Sequence, residues 1–204
     1  IFGIAASWCI TRFQFHGKKI LSTLIDLPLT ISPVIAGLIY ILTFGRQSIL
    51  YEYLRSAGIK LIFAVPGIVV ATVFVTFPFI SREIIPVLST LGTDEEEAAA
   101  LMGANGFTIF RKITLPQMKW GLIYGIILCT ARALGEFGAV NALSKTRGQT
   151  FTLPLEIDAL YMSGTDTSIT SAFAVSSILV IIAVIVLILR NIFEYRSKNS
   201  KGIQ

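Results

Sequence analysis

Charged side chains are scarce in this sequence: 14% of its 204 residues are charged and 54% are apolar, a balance that makes a soluble globular fold improbable. Histidine occurs once and cysteine twice. Cys9 and Cys129 lie in apolar stretches without a neighbouring His or Cys at metal-ligand spacing, so they predict neither a disulfide framework nor a metal site, only small packing residues. No Gly-x-x-x-x-Gly-Lys-Ser/Thr loop is present to cradle phosphates, which argues against this chain being an ATP-hydrolysing subunit. The net charge of +5 comes without a basic stripe interleaved with aromatics, and nucleic-acid binding is excluded on that ground.

What is present is long apolar runs. Residues 27–45, 61–81 and 167–189 carry no charged side chain, and each is long enough to cross ~30 Å of hydrocarbon as a helix. We expect spans over about 22–45, 61–81 and 168–189. A further span is expected over 120–142, interrupted by Arg132 and Glu136, and a partial one over 1–11. Because Ile1 opens inside an apolar stretch, with no basic region leading into a signal, the chain reads as a fragment lacking N-terminal sequence. The expected fold is an all-α polytopic membrane helix bundle over 1–195, followed by a basic tail over 190–204.

Lysine and arginine set the orientation. Counted over alternate loops, Arg12, Lys18, Lys19, Arg82, Arg111, Lys112, Lys119, Arg190, Arg196, Lys198 and Lys201 make one set of eleven; Arg46, Arg55, Lys60, Lys145 and Arg147 make the other set of five. The richer set belongs in the cytoplasm, which places the C-terminus inside and the loop Asn141 to Asp166 outside.

Between the spans lies Thr93-Asp94-Glu95-Glu96-Glu97-Ala98-Ala99-Ala100-Leu101-Met102-Gly103. Its alanines and acids predict a short exposed helix, with Thr93 and Glu96 forming a capping box and Gly103 a left-handed stop. Phe107, Phe110 and Ile113 recur at three-residue spacing and predict a second helical face, which Leu115-Pro116 ends. In residues 120–142, Gly121, Gly125, Cys129 and Ala133 form a stripe of small side chains suited to close helix packing. Arg132 and Glu136, four apart, would share one helical face and neutralise each other; their role is either structural or in an anion path.

These segments resemble one family closely. Glu97-Ala98-Ala99, Gly103, Ile113 and Leu115-Pro116 match the EAA loop of ABC importer permeases (residues 93–116 here), and the resemblance implies that these residues dock into a groove on a cytoplasmic ATPase. Ala131-Arg132-Ala133-Leu134-Gly135-Glu136-Phe137-Gly138-Ala139 is similar to the oxyanion permeases for sulfate, molybdate and tungstate. Asp26-Leu27-Pro28, Ile31-Ser32-Pro33-Val34-Ile35-Ala36-Gly37-Leu38, Phe63-Ala64-Val65-Pro66-Gly67 and Pro78-Phe79-Ile80-Ser81-Arg82-Glu83 resemble the W-type membrane subunit of sulfate/thiosulfate importers. The resemblance covers Thr11 through the last span, and full-length members have about one and a half more helices at the N-terminus.

It implies a MetI-like permease fold in the bacterial inner membrane that translocates sulfate or thiosulfate. The implied partners are two ATP-binding subunits carrying ATP and Mg, a homologous T-type permease and an extracytoplasmic anion-binding protein, with no cofactor on this chain. The competing readings are a molybdate or tungstate permease, an ion-coupled secondary transporter, for which no internal repeat is visible, and a purely structural membrane anchor.

Overall fold

The computed structural model describes the backbone of residues 1–201 and the side chains of residues 1–193, so Arg196, Lys198 and Lys201 of the basic tail lie outside the described side chains. All regular elements of the described residues are helical: α1 (Phe2–Arg12), α2 (Lys18–Thr30), α3 (Pro33–Phe44), α4 (Leu50–Ser56), α5 (Val65–Leu91), α6 (Asp94–Leu101), α7 (Gly106–Ile109), a π-helical segment (Phe110–Thr114), α8 (Leu115–Gln117), α9 (Lys119–Leu134), α10 (Gly138–Leu143), α11 (Leu153–Met162) and α12 (Asp166–Lys201).

Among these, α5 and the stretch Asp166–Phe193 of α12 are each long and apolar enough to cross a membrane. On α12 side chains such as Phe173, Val180 and Ile181 are exposed, a surface suited to hydrocarbon and not to water. The apolar run expected as one span over 22–45 is instead two helices, α2 and α3, bent by 109° at Ile31–Ser32. Pro33 explains the break: it lacks an N–H and its ring would clash with the preceding turn, but it is well suited to begin α3. Pro66 likewise sits in the first turn of α5, so it kinks nothing, whereas Pro28 and Pro78 lie inside helices. The expected span over 120–142 is also divided, into α9 and α10, by non-helical residues 135–137.

The chain forms two compact units. The first comprises residues 1–26, 77–130 and the chain from Leu189 on. Its core joins the fully buried Ile84, Leu88 and Met118, with Ile4, Phe110 and Leu115 packed against them. The two glycines of the expected small-residue stripe of α9 pack closely here, while Cys129 and Ala133 are half-buried. A Cβ on Gly121 would stand 2.8 Å from the Glu83 carbonyl oxygen, and one on Gly125 2.9 Å from the Ile80 Cα, so these glycines let α9 lie against the backbone of α5. Farther along, the Arg190 Nε donates to the Tyr124 hydroxyl at 2.6 Å. Both cysteines are unbridged.

The second unit comprises residues 27–76 and 131–188. Its core is built from Ala36, Ile68, Ala71, Val75, Ala139, Val140, Leu143 and Leu155. Helices α3 and α10 approach closely because Gly37 has no side chain: a Cβ there would meet the Ala142 Cβ at 2.7 Å and the Ala139 carbonyl at 2.9 Å.

Candidate functional site

The acidic segment folds as expected into a short helix, α6, and Gly103 ends it with φ of 87°, the left-handed conformation that a side chain disfavours. No atom lies within 4 Å of a Cβ placed at Gly103, so within this chain its requirement is conformational and not steric.

The capping box does not form. The Thr93 side chain makes no capping bond to the backbone and instead donates from Oγ1 to the Glu97 Oε1 at 2.6 Å. Glu96 turns inward: Arg12 Nε donates to its Oε1 at 3.0 Å and lies 2.9 Å from its Oε2, and Thr114 Oγ1 donates to Oε1 at 2.8 Å. The same guanidinium donates from Nη1 to the Leu88 carbonyl oxygen at 2.9 Å. A charge-assisted bond is roughly twice as strong as a neutral one, so a guanidinium held nearby outcompetes a backbone cap for this carboxylate. With side-chain exposures of 5% for Arg12 and 13% for Glu96, the pair is screened little by solvent. It ties α6 to the ends of α1 and α5 and to the π-helical segment. Arg12 and Thr114 have no place in the motif, and sequence spacing gives no signal that would pair residues so far apart in the chain.

Of the motif residues, Ala99 is buried and packs α6 onto its support, whereas Glu97, Ala98 and Gly103 are exposed. Leu101 and Met102, 90% and 83% exposed, continue this outward face, and Phe107 at the start of the next helix is 72% exposed. Large apolar side chains grouped around a glycine turn form a surface suited to a protein partner. The second helical face expected from Phe107, Phe110 and Ile113 is present, but it runs from α7 into a π turn. Leu115 opens α8 after it, and Pro116, which has no N–H to donate, sits in the first turn of that helix, where none is needed. Ile113 is half-buried, Leu115 joins the core, and Pro116 stays exposed.

Arg132 and Glu136 do form an ion pair, Nη1 to Oε2 at 2.6 Å, but not on one helical face. Helix α9 ends at Leu134, and Glu136 lies in the non-helical stretch that follows Gly135. Its Oε1 accepts from the Ala139 N–H at 2.9 Å, which satisfies a donor at the start of α10. Its Oε2 touches the guanidinium without the alignment of a hydrogen bond. The carboxylate side chain is 1% exposed and the arginine 33%, so the acid is embedded while the cation retains an open side. A break between two helices leaves polar backbone groups that need partners, and Glu136 supplies one.

On the loop between α10 and α11, Arg147 donates from Nε to both carboxylate oxygens of Glu156, at 2.9 and 3.0 Å, and Nη2 also donates to Oε1. The hydrogen bond from Arg147 holds the Glu156 carboxyl below its ordinary value, and the same bond raises Arg147. A depressed carboxylate contributes stability above its unfolded pKa and loses it as pH falls through the folded one. A spin label at Gln149 should therefore gain mobility as pH drops below the ordinary glutamate value of 4.5. In Glu156→Gln it should be mobile at every pH. A label insensitive to pH in the wild type would remove this restraint from consideration.

Residues 1–199 match the sequence profile of the binding-protein-dependent transport system inner membrane component, and the chain belongs to that family of integral membrane permeases. Within it, the chain is 42% identical over 202 residues to the sulfate transport system permease protein CysW of Escherichia coli (98% of this chain, 68% of that protein). It is 46% identical over 205 residues to the CysW of Synechococcus elongatus (100% and 70%). Against the sulfate transport system permease protein CysT of Salmonella typhimurium the identity is 39% over 140 residues (69% and 50%). The fold is that of the MetNI methionine ABC transporter in its inward-facing conformations, with a TM-score of 0.66 at 18% identity, covering 95% of this chain and 85% of the other.

Proposed function

We propose that this chain is the membrane-spanning permease subunit of an ATP-binding cassette importer that carries sulfate or thiosulfate into the cytoplasm. The observation that carries this reading is the 42% and 46% identity to sulfate permease proteins over nearly the whole chain. In this reading, Glu97, Ala98, Ala99, Gly103, Ile113, Leu115 and Pro116 belong to the coupling loop. Leu101, Met102 and Phe107 provide its apolar contact surface to an ATPase, which holds ATP and Mg. Arg132 faces the anion path and Glu136 holds it in place. A T-type permease completes the pathway, two ATP-binding subunits drive it, and an extracytoplasmic binding protein delivers the anion. The excess of Lys and Arg on alternate loops supports a C-terminus in the cytoplasm of a bacterial cell.

Complementation tests the assignment. The full-length gene, placed in a host deleted for its own W-type sulfate permease subunit, should restore radiolabelled sulfate uptake. Unlabelled thiosulfate should compete, and molybdate should compete far less. Uptake of molybdate with no uptake of sulfate would transfer the chain to the molybdate permeases; sulfate uptake indifferent to loss of the ATP-binding subunit would refute the ATP-driven mechanism.

A further inference from the structure

A cavity of about 690 Å³ lies within the second unit, between the end of α3, α4 and the segment leading into α5. Its floor is apolar, with Ile41, Phe44 and Leu54 among its lining residues, and its rim carries Arg46, Arg55 and Lys60. No acidic side chain lines it. Arg46 is the first charge after the uncharged run 27–45, and Lys60 the last before the run 61–81. Both therefore sit where hydrocarbon gives way to water. Among the described residues, none of the three cations has an ion-pair partner or donates a side-chain hydrogen bond. Phe63, also on the wall, is the sole non-glycine residue among those described with positive φ, at 57°, and the Lys145 Nζ lies 4.5 Å above its ring. The wall is thus a left-handed, strained turn with a fourth cation beside it.

We propose that this cavity binds an anionic phospholipid, the phosphate at the Arg46–Arg55–Lys60 rim and the upper acyl chain on the apolar floor. The shared chemistry is a tetrahedral oxyanion group, which a free sulfate also offers. Two features select the lipid. The three cations are exposed, and exposed charges hold a small hydrated ion weakly. The cavity is also large and mainly apolar, so that only an amphiphile engages the rim and the floor together. The inference needs a membrane-spanning chain but is independent of which anion is transported.

The test uses the assembled transporter released from membranes of mixed composition, with bound lipid counted by native mass spectrometry. Wild-type complex should retain phosphatidylglycerol in preference to phosphatidylcholine. Each of Arg46→Gln, Arg55→Gln and Lys60→Gln should lower that retention about fivefold, the equivalent of ~1 kcal/mol per basic residue near an anionic surface. Leu54→Trp, which fills the floor and leaves the charges in place, should lower it as well. Equal retention in wild type and variants, or equal retention of the two lipids, overturns the proposal. So does displacement of the lipid by excess sulfate, which would make the site one for a free anion. Unchanged lipid with lost binding-protein-dependent uptake would make the rim a protein dock and also refute it.

Discussion

If α6 couples the permease to an ATPase as proposed, Arg12→Gln should release it from its support and abolish most transport while leaving its exposed face chemically intact. The substitution strands Glu96, only 13% exposed, without its cation, and breaking such a buried pair from one side costs about 3–5 kcal/mol. Arg12 Nη1 also serves the Leu88 carbonyl, so the end of α5 loses a partner at the same time. Glu96→Gln leaves the Arg12 guanidinium, 5% exposed, without its anion, and should cost less only insofar as the amide oxygen still accepts from Arg12 and Thr114. The double variant should recover much of the assembly lost in Arg12→Gln, since nothing charged then remains unpaired. The informative readouts are co-purification of the ATP-binding subunit and the ratio of ATP hydrolysed to sulfate imported. A positioning role predicts that ratio to rise in Glu96→Gln while the subunits remain together. An unchanged ratio, with wild-type assembly in Arg12→Gln, would show that the pair has no part in coupling.

The second large effect belongs to Arg132 and Glu136. Removing the arginine leaves a carboxylate that is 1% exposed, held by a single backbone N–H from Ala139 and otherwise uncompensated. Arg132→Gln should therefore assemble poorly, with a loss approaching 3 kcal/mol, since the arginine's own partial exposure softens the figure. Glu136→Gln should assemble better, because the amide oxygen can replace Oε1 in accepting from Ala139. In the double variant, assembly should return. Transport separates the two roles: if Arg132 attracts the anion, the assembled double variant imports sulfate poorly. Normal radiolabelled sulfate uptake by a well-assembled Arg132→Gln/Glu136→Gln protein would leave the pair as a structural brace and refute its part in the anion path.

Much of this fold was legible because membrane helices announce themselves by composition. Uncharged runs located α3, α5 and α12, and the glycines of α9 foretold a close approach to another helix. The breaks were harder to see. The bend before Pro33 interrupts an uncharged run, and hydropathy does not record where backbone hydrogen bonds stop; the gap after Leu134 falls beside Arg132 and Glu136, which were read as interruptions of one span and not as its end. In residues 93–116, motif spacing located the helix and its left-handed end. It misassigned Glu96, because a capping box is a local rule and the competing partner, Arg12, comes from a helix far away in the chain. Arg132 and Glu136 were paired correctly by spacing, yet for a reason that does not hold: the acid sits past the helix end, and its burial follows from capping α10, which a four-residue rule cannot reveal.

The π turn before Pro116 has an implication for how this loop tolerates insertions and deletions. A π turn amounts to an α-helix carrying one surplus residue, and an α-helix advances about 100° per residue, or 3.6 residues per turn. The surplus residue is taken up within one turn, so losing a single residue between Phe110 and Thr114 would regularise the ladder and leave the two flanks nearly in phase, whereas gaining one would rotate one flank by about that angle relative to the other. After such a gain, either Thr114 would swing away from Glu96 or the Trp8 ring, 5.1 Å from that of Phe110, would lose its neighbour. The irregular turn thus leaves this segment one residue to spare, and it is lengthening, not shortening, that would make it the worse connector.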